Sequence, residues 1–370
     1  MKLLLWHWGR RGGGPMYTYE MARALAKLPG MEVHLSLSRQ SELWPSSRDI
    51  GLPCWPVDTY SGAFSALGAS LLLPSLRGSF AAYLRRERFG WVCCTMTHLW
   101  NTFMLRKVRE SGSRYLLVLH DALLHPGERN PLRARLLKNE ARRADAVVTL
   151  SDHVRRQAVE AFGLEPGHIR VIPHGPFFYG APKAAPRTLP QGRPFRLLFF
   201  GRILPYKGLG LLVEAMRLLR EDFPDLELIV AGQGRLGPNQ EALRQLGAKV
   251  INRWLEAGEV SRLIEKGDLL VAPYTSASQS GVLPLAYAHG LPVVATRVGG
   301  LQEQVIPGKT GLLSGPPDPM SLARAVAKIM TDPVLYARLS AGTRDYVANS
   351  VAWPSLARQL VAAMDQAPCR

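Results

Sequence analysis

Short apolar runs closed by turn residues alternate with amphipathic helical segments along the whole chain, and this rhythm restricts the fold more than any other feature. KLLLWHW, MEVHLSL, WVCCTM, RYLLVLH, AVVTLS and IRVIPHG supply one set of strands; FRLLFFG, LELIVAG, AKVINRW, LLVAPY and LPVVATRV repeat the pattern in a second. Strands separated by helices pair in parallel, with helices covering the sheet. The proline- and glycine-rich stretch GPFFYGAPKAAPRTLPQGRPF lies between the two sets and reads as a linker. The expected architecture is α/β: doubly wound domains over residues 1–176 and 194–348, a linker over 177–193, and a helical segment over 349–370, broken at Pro354, that crosses back to the first domain. In such sheets ligands sit outside the carboxyl ends of the strands, here in the cleft the two domains would share. Residues just after each strand are therefore the candidates for chemistry.

At 370 residues, each half has enough chain for its own core. No apolar run approaches the roughly 20 residues of a membrane span, and the opening MKLLLWHWGRR is too short in its apolar part for a secretion signal, so it reads as a first strand. Four cysteines, with Cys93 and Cys94 adjacent, form neither a disulfide framework nor a metal-ligand pattern, which fits a reducing cytoplasm. The net charge of +17 favours phosphate-bearing partners: a diphosphate substrate, an anionic membrane face or nucleic acid. Ordinary solvated faces would carry it too. Nucleic acid is disfavoured, because the arginines lack interleaved aromatics and no helix-turn-helix, zinc or ribonucleoprotein-type pattern occurs.

Several strand ends carry glycines. GRRGGGPMYTYEMARAL follows the first strand, where Gly13 and Gly14 would let backbone amides approach a ligand, unless the turn is purely structural. In FRLLFFGRILPYKGLGLLVEAM, Arg202 and Lys207 flank a turn bounded by Gly201 and Gly208, so two cations and backbone amides converge where a diphosphate would sit. Gly232 ends LELIVAG, and Arg253, Trp254 and Leu255 follow the next strand, where a base would stack or bond to backbone; a core role for Trp254 is equally open. The stretch SQSGVLPLAYAHG places Gln279, Ser280, Gly281, Val282 and Leu283 in a small, polar turn that feeds a helix. No Asp-x-Asp pair offers a metal a seat.

In their order, the glycine loop, LVLHD, RRADAVVTLSDHVRRQ, IRVIPHG, FFGRILPYKGLGLLVEA, LPVVATRVGGLQEQVIPGKTGLL and the closing helix resemble glycosyltransferase family 4 over nearly the whole chain. This family comprises retaining nucleotide-sugar transferases of GT-B fold, with two Rossmann-like domains. The resemblance implies that Arg202 and Lys207 neutralise the donor diphosphate without a metal, and that the amides of Gly281, Val282 and Leu283 face the phosphates and transferred sugar. It also implies that His120 holds a sugar hydroxyl and helps stabilise charge, that the anomeric configuration is retained, and that the leaving phosphate takes the acceptor's proton. His174 stands where many members have Asn. Most members carry a Glu, seven residues and a second Glu ahead of the small-residue helix; here those positions are Ala277 and Leu285. Either the turn has been rebuilt around Gln279, Ser280 and backbone amides, or the chain is a non-catalytic sugar-nucleotide-binding scaffold or sensor.

The expected activity is transfer from a nucleoside-diphosphate sugar to a hydroxyl of a glycan or lipid-linked acceptor, in bacterial cell-surface polysaccharide or glycolipid synthesis. No cofactor is expected. The first domain would hold the acceptor. The basic run RNPLRARLLKNEARR and the apolar, basic-ended YSGAFSALGASLLLPSLRGSFAAYLRRERF would dock on the anionic inner face of the plasma membrane, or else form a buried helix with solvated arginines.

Overall fold

The computed structural model describes residues 1–60, 62, 65, 68, 70–124, 130–179 and 186–368. Parts of the linker, Arg129 of the basic run and much of 61–69 lie outside the described residues.

The chain forms two compact units. One comprises Met1–Leu124, Asn130–Pro173 and Trp353–Arg370; the other contains His174–Ala352. In the first, β1 (Lys2–His7), β2 (Glu32–Ser38), β3 (Cys54–Val57), β4 (Trp91–Cys94), β5 (Arg114–Leu119), β6 (Ala146–Thr149) and β7 (Ile169–Val171) form a parallel sheet in the order β3-β2-β1-β4-β5-β6-β7. In the second, β8 (Arg196–Phe200), β9 (Glu227–Ala231), β10 (Lys249–Ile251), β11 (Leu269–Ala272), β12 (Val293–Ala295) and β13 (Gly311–Leu313) run β10-β9-β8-β11-β12-β13, again parallel. Strand order reverses between β1 and β4 and between β8 and β11, so each sheet has one switch point, and the crevice there is where a ligand is received.

Eleven of the thirteen strands fall in the expected runs; β3 and β13 were not anticipated. Both are short edge strands. β3 carries Pro56, which an edge tolerates because the missing donor faces away from the ladder. Pro354 does not break the last helix. It lies in the first turn of Trp353–Asp365, where a proline's missing N–H is an orphan anyway, and the interruption falls at Ser350–Ala352 instead. That helix packs on the helix Gly13–Leu25 of the first unit, with Tyr17 and Trp353 edge to face at 5.4 Å, and Arg114 donates to the carbonyls of Ala367 and Pro368 at 2.9 and 2.7 Å.

The core of the first unit encloses a polar group. Glu140, 2% exposed, accepts bonds from the Tyr115 hydroxyl at 2.6 Å and Asn101 Nδ2 at 2.8 Å. Burial outweighs both bonds and pushes its carboxyl up to about 7. The folded state therefore favours the protonated acid. Its contribution to stability is complete below the ordinary pKa and is lost as pH rises through about 7. Glu140→Gln keeps an acceptor for both bonds and cannot ionise, so it is expected to gain up to about 3 kcal/mol over wild type at pH 8 and nothing at pH 4.5. Urea unfolding at the two pH values measures this; a gain equal at both would show that Glu140 does not titrate on unfolding.

Candidate active site

In the second unit, the loops after β8, β9 and β11 meet around the carboxyl end of β8. Gly201 follows that strand with φ +116°, and Gly232 follows β9 with φ +140°. A Cβ on Gly232 would stand 1.8 Å from the Gly201 carbonyl oxygen, so only glycine lets the two strand ends approach this closely. Pro205–Lys207 forms one 3-10 turn, and Gly208, at φ +70°, turns the chain into the helix Leu209–Asp222. The turn after β11 docks on it: Thr275 N–H donates to the Tyr206 carbonyl at 2.8 Å.

Lys207 sits at this junction, 8% exposed, with Nζ 3.9 Å from the Tyr274 ring centroid and 5.4 Å from that of Tyr206. It forms no ion pair with a carboxylate among the described residues. Lysine is almost never buried unless paired. A tyrosine face stabilises the ammonium only partly, so the site is electrostatically short of an anion. Arg202 lies on the exposed side of the same turn.

The turn Ser278–Leu283 closes over this junction, and a Cβ on Gly201 would touch Val282 Cγ2 at 3.3 Å. Ser280 is 2% exposed, its hydroxyl 3.1 Å from the Tyr274 hydroxyl and accepting from Val282 N–H at 3.3 Å. Ser280 thus shapes the turn from within. Gln279 is half-buried, and its Oε1 is enclosed with no hydrogen-bond partner among the described residues. The positions where the resemblance implies acids are interior: Ala277 is 3% exposed with its carbonyl accepting from Gly300 N–H at 3.0 Å, and Leu285 is 2% exposed. His174, 4% exposed, lies beside Gly281, whose Cβ would be 3.5 Å from the imidazole Nε2.

Arg253, Trp254 and Leu255 follow β10, at the sheet edge. The Arg253 guanidinium is held by Glu259 at 2.6 and 2.9 Å, alongside the Glu256–Glu259 capping box of the helix Ala257–Lys266. Trp254 and Leu255 are half-buried.

In the first unit, His120 follows β5 and is 7% exposed. Its Nε2 lies 2.8 Å from the Thr95 carbonyl, which can only accept, so Nε2 carries a proton. Burial lowers its pKa, against the opposing effects of Asp121 and the Thr95 bond. Gly14 lets the loop after β1 pass over His7, since its Cβ would lie 2.7 Å from His7 Cε1. Gly13 is exposed at the start of the helix. Sequence reading passed over His7, whose pKa burial drives down to about 3, and Thr95, 3.3 Å from His7 Nδ1. The signal was their place at the ends of β1 and β4, which flank the switch point. No group of three or more His, Cys, Asp or Glu that would hold a metal occurs among the described residues.

Residues 11–175 match the family model for Glycosyltransferase Family 4, and residues 194–332 match that for Glycosyl transferases group 1. The chain belongs to this glycosyltransferase family. It is 31% identical to the D-inositol 3-phosphate glycosyltransferase of Geodermatophilus obscurus, over 96% of this chain and 85% of that enzyme. It is also 31% identical to the glycogen synthase of Mycobacterium tuberculosis, over 58% of this chain and 53% of that enzyme. Among solved structures, Anabaena HepE in complex with UDP-glucose superposes with a TM-score of 0.76 at 18% identity, covering 99% of both chains. Sucrose-phosphate synthase from Thermosynechococcus elongatus gives 0.74 at 21% identity, over 99% of this chain and 98% of that one. The fold is GT-B, and the chain is a glycosyltransferase. Among the described residues, no helix is long and apolar enough to cross a membrane.

Proposed function

We propose that this glycosyltransferase moves a sugar from a nucleoside diphosphate to a hydroxyl of a glycan or lipid-linked acceptor, with retention and without a metal, in cell-surface polysaccharide or glycolipid synthesis. The observation that carries this reading is Lys207: a buried ammonium that faces tyrosine rings and, among the described residues, no carboxylate. A diphosphate supplies the missing anion. As the glycosidic bond breaks, charge gathers on that diphosphate, and Lys207, Arg202 and the amides of Gly281–Leu283 stabilise it. The departing phosphate oxygen takes the acceptor's proton. His120 meets a donor hydroxyl, and the enclosed Gln279 Oε1 takes another in place of the missing acids. Gly13, Gly14, Gly201 and Gly232 keep backbone clear of the ligand, while Arg253, Trp254 and Leu255 border the base. That HepE is solved with UDP and UDP-glucose supports a nucleoside-diphosphate ligand.

On the first unit, the helix Leu73–Glu87 follows Leu71 and Leu72, 81% and 67% exposed, and ends at the exposed Arg85 and Arg86. Helix Pro131–Arg143 presents Leu132, 64% exposed, with Arg133, Arg135, Arg142 and Arg143. Exposed leucines among arginines suit a peripheral position on an anionic cytoplasmic leaflet, within reach of a lipid-linked acceptor. A scaffold that binds sugar nucleotides without turning them over is the second reading, favoured by the interior Ala277 and Leu285. Turnover of UDP-, GDP- and ADP-sugars in EDTA separates the two, and release of one nucleoside diphosphate is the expected outcome.

A further inference from the structure

The donor turn is held by a side chain 24 residues away. Ser280 N–H donates to Gln304 Oε1 at 2.7 Å, and Gln304 Nε2 donates to the Ser280 carbonyl at 3.0 Å. A peptide N–H can only donate and its carbonyl only accept, so one orientation of the Gln304 amide satisfies both bonds. Gln304 is 8% exposed and is itself anchored: its carbonyl accepts from the Tyr287 hydroxyl at 3.1 Å, and Thr310 Oγ1 donates to that hydroxyl at 3.3 Å. On the turn's other side, the Ser280 hydroxyl meets Tyr274, whose ring lies under Lys207.

Small residues dominate this turn, and alone they would leave its backbone many conformations. The amide clamp removes that freedom. It also consumes the Ser280 N–H, while the Ser280 hydroxyl accepts from Val282 N–H, so Gly281 and Leu283 are the turn's amides that these bonds leave for a ligand. We propose that Gln304 is a positioning residue for the donor: it acts through the Ser280 peptide to hold Gly281–Leu283 against the nucleoside diphosphate. This rests on the transferase reading above. Without the clamp, binding must order the turn, and ground state and transition state weaken alike. KM for the sugar nucleotide therefore rises while kcat stays.

The test uses the full chain and whichever of UDP-glucose, GDP-mannose or ADP-glucose the wild type turns over. Gln304→Glu keeps the volume and one acceptor but sets a second acceptor against the Ser280 carbonyl. Gln304→Ala removes both bonds, and Gln304→Asn retains a shortened amide. Exposed Gln302→Ala, on the same short helix, is the control. Expected are a KM about tenfold higher in Gln304→Glu and Gln304→Ala with kcat within about twofold, partial recovery in Gln304→Asn, and no change in Gln302→Ala. Hydrogen exchange on the ligand-free protein should show the Ser280 amide losing protection in the first two variants. A wild type that turns over one donor while Gln304→Ala keeps its KM overturns the positioning role alone, as does a fall in kcat at constant KM. A wild type that turns over none of the three donors removes the transferase reading and this inference together.

Discussion

Lys207→Met lowers kcat/KM for the sugar nucleotide by about 10²–10³-fold, the range typical of removing one group that stabilises developing charge. The thioether side chain fills the volume under Tyr274, so packing is kept and only the charge is lost. Stability moves the other way. The ammonium is 8% exposed and, among the described residues, faces tyrosine rings without a carboxylate partner, so replacing it with an apolar side chain removes a desolvation penalty, and the melting temperature of the ligand-free variant should hold or rise. A purely structural lysine would give the opposite pair of results, with activity lost in proportion to folded protein. Lys207→Arg does not rescue, because a planar guanidinium is too large for the space over that ring. Steady-state kinetics and thermal melts on the same preparations read both effects.

Gly208→Ala is expected to destabilise the second unit by at least about 3 kcal/mol. About 1–2 kcal/mol comes from a side chain in left-handed backbone at φ +70°. The rest comes from contact, since the added Cβ would stand 1.8 Å from the Pro273 carbonyl oxygen, and backbone must move to admit it. Gly247→Ala separates the two contributions. That glycine has φ +54° and nothing within 4 Å of the added atom, so it carries the conformational cost alone, about 1–2 kcal/mol. Urea unfolding of both variants measures the difference. Equal losses would mean that the loop after β11 yields freely, and that Lys207 is held less firmly than its surroundings imply.

The rhythm of apolar runs was enough to place both sheets, because strands buried on two faces are apolar throughout and need no partner to be recognised. It failed at β3 and β13, where edge position permits Pro56 and Gly311 and the runs shrink to a few residues. At the candidate site, the positions of the glycines and of the Arg202–Lys207 turn after β8 were legible, since a strand end, two cations and a left-handed glycine are local features. What Lys207 faces was not: Tyr274 lies on another strand's loop. Nor was the Ser280–Gln304 clamp, whose partners are far apart in sequence and carry no charge to betray the pairing. The two expected acids were counted correctly as absent, yet only the fold explains why their return would be harmful. Ala277 and Leu285 are interior, and a carboxylate at either would be desolvated. Ser280 likewise changes meaning: expected at the ligand, its polar groups are engaged inside the turn.

The most direct measurement of the central claim is nucleoside diphosphate release from UDP-glucose, GDP-mannose and ADP-glucose by the wild-type protein in EDTA, followed by phosphorus NMR with and without a crude lipid-linked glycan acceptor. The account predicts release from one nucleotide family, faster with acceptor and unaffected by chelation. Binding of a nucleotide without any release under either condition would contradict it, and would leave Lys207 and its turn as the grip of a scaffold.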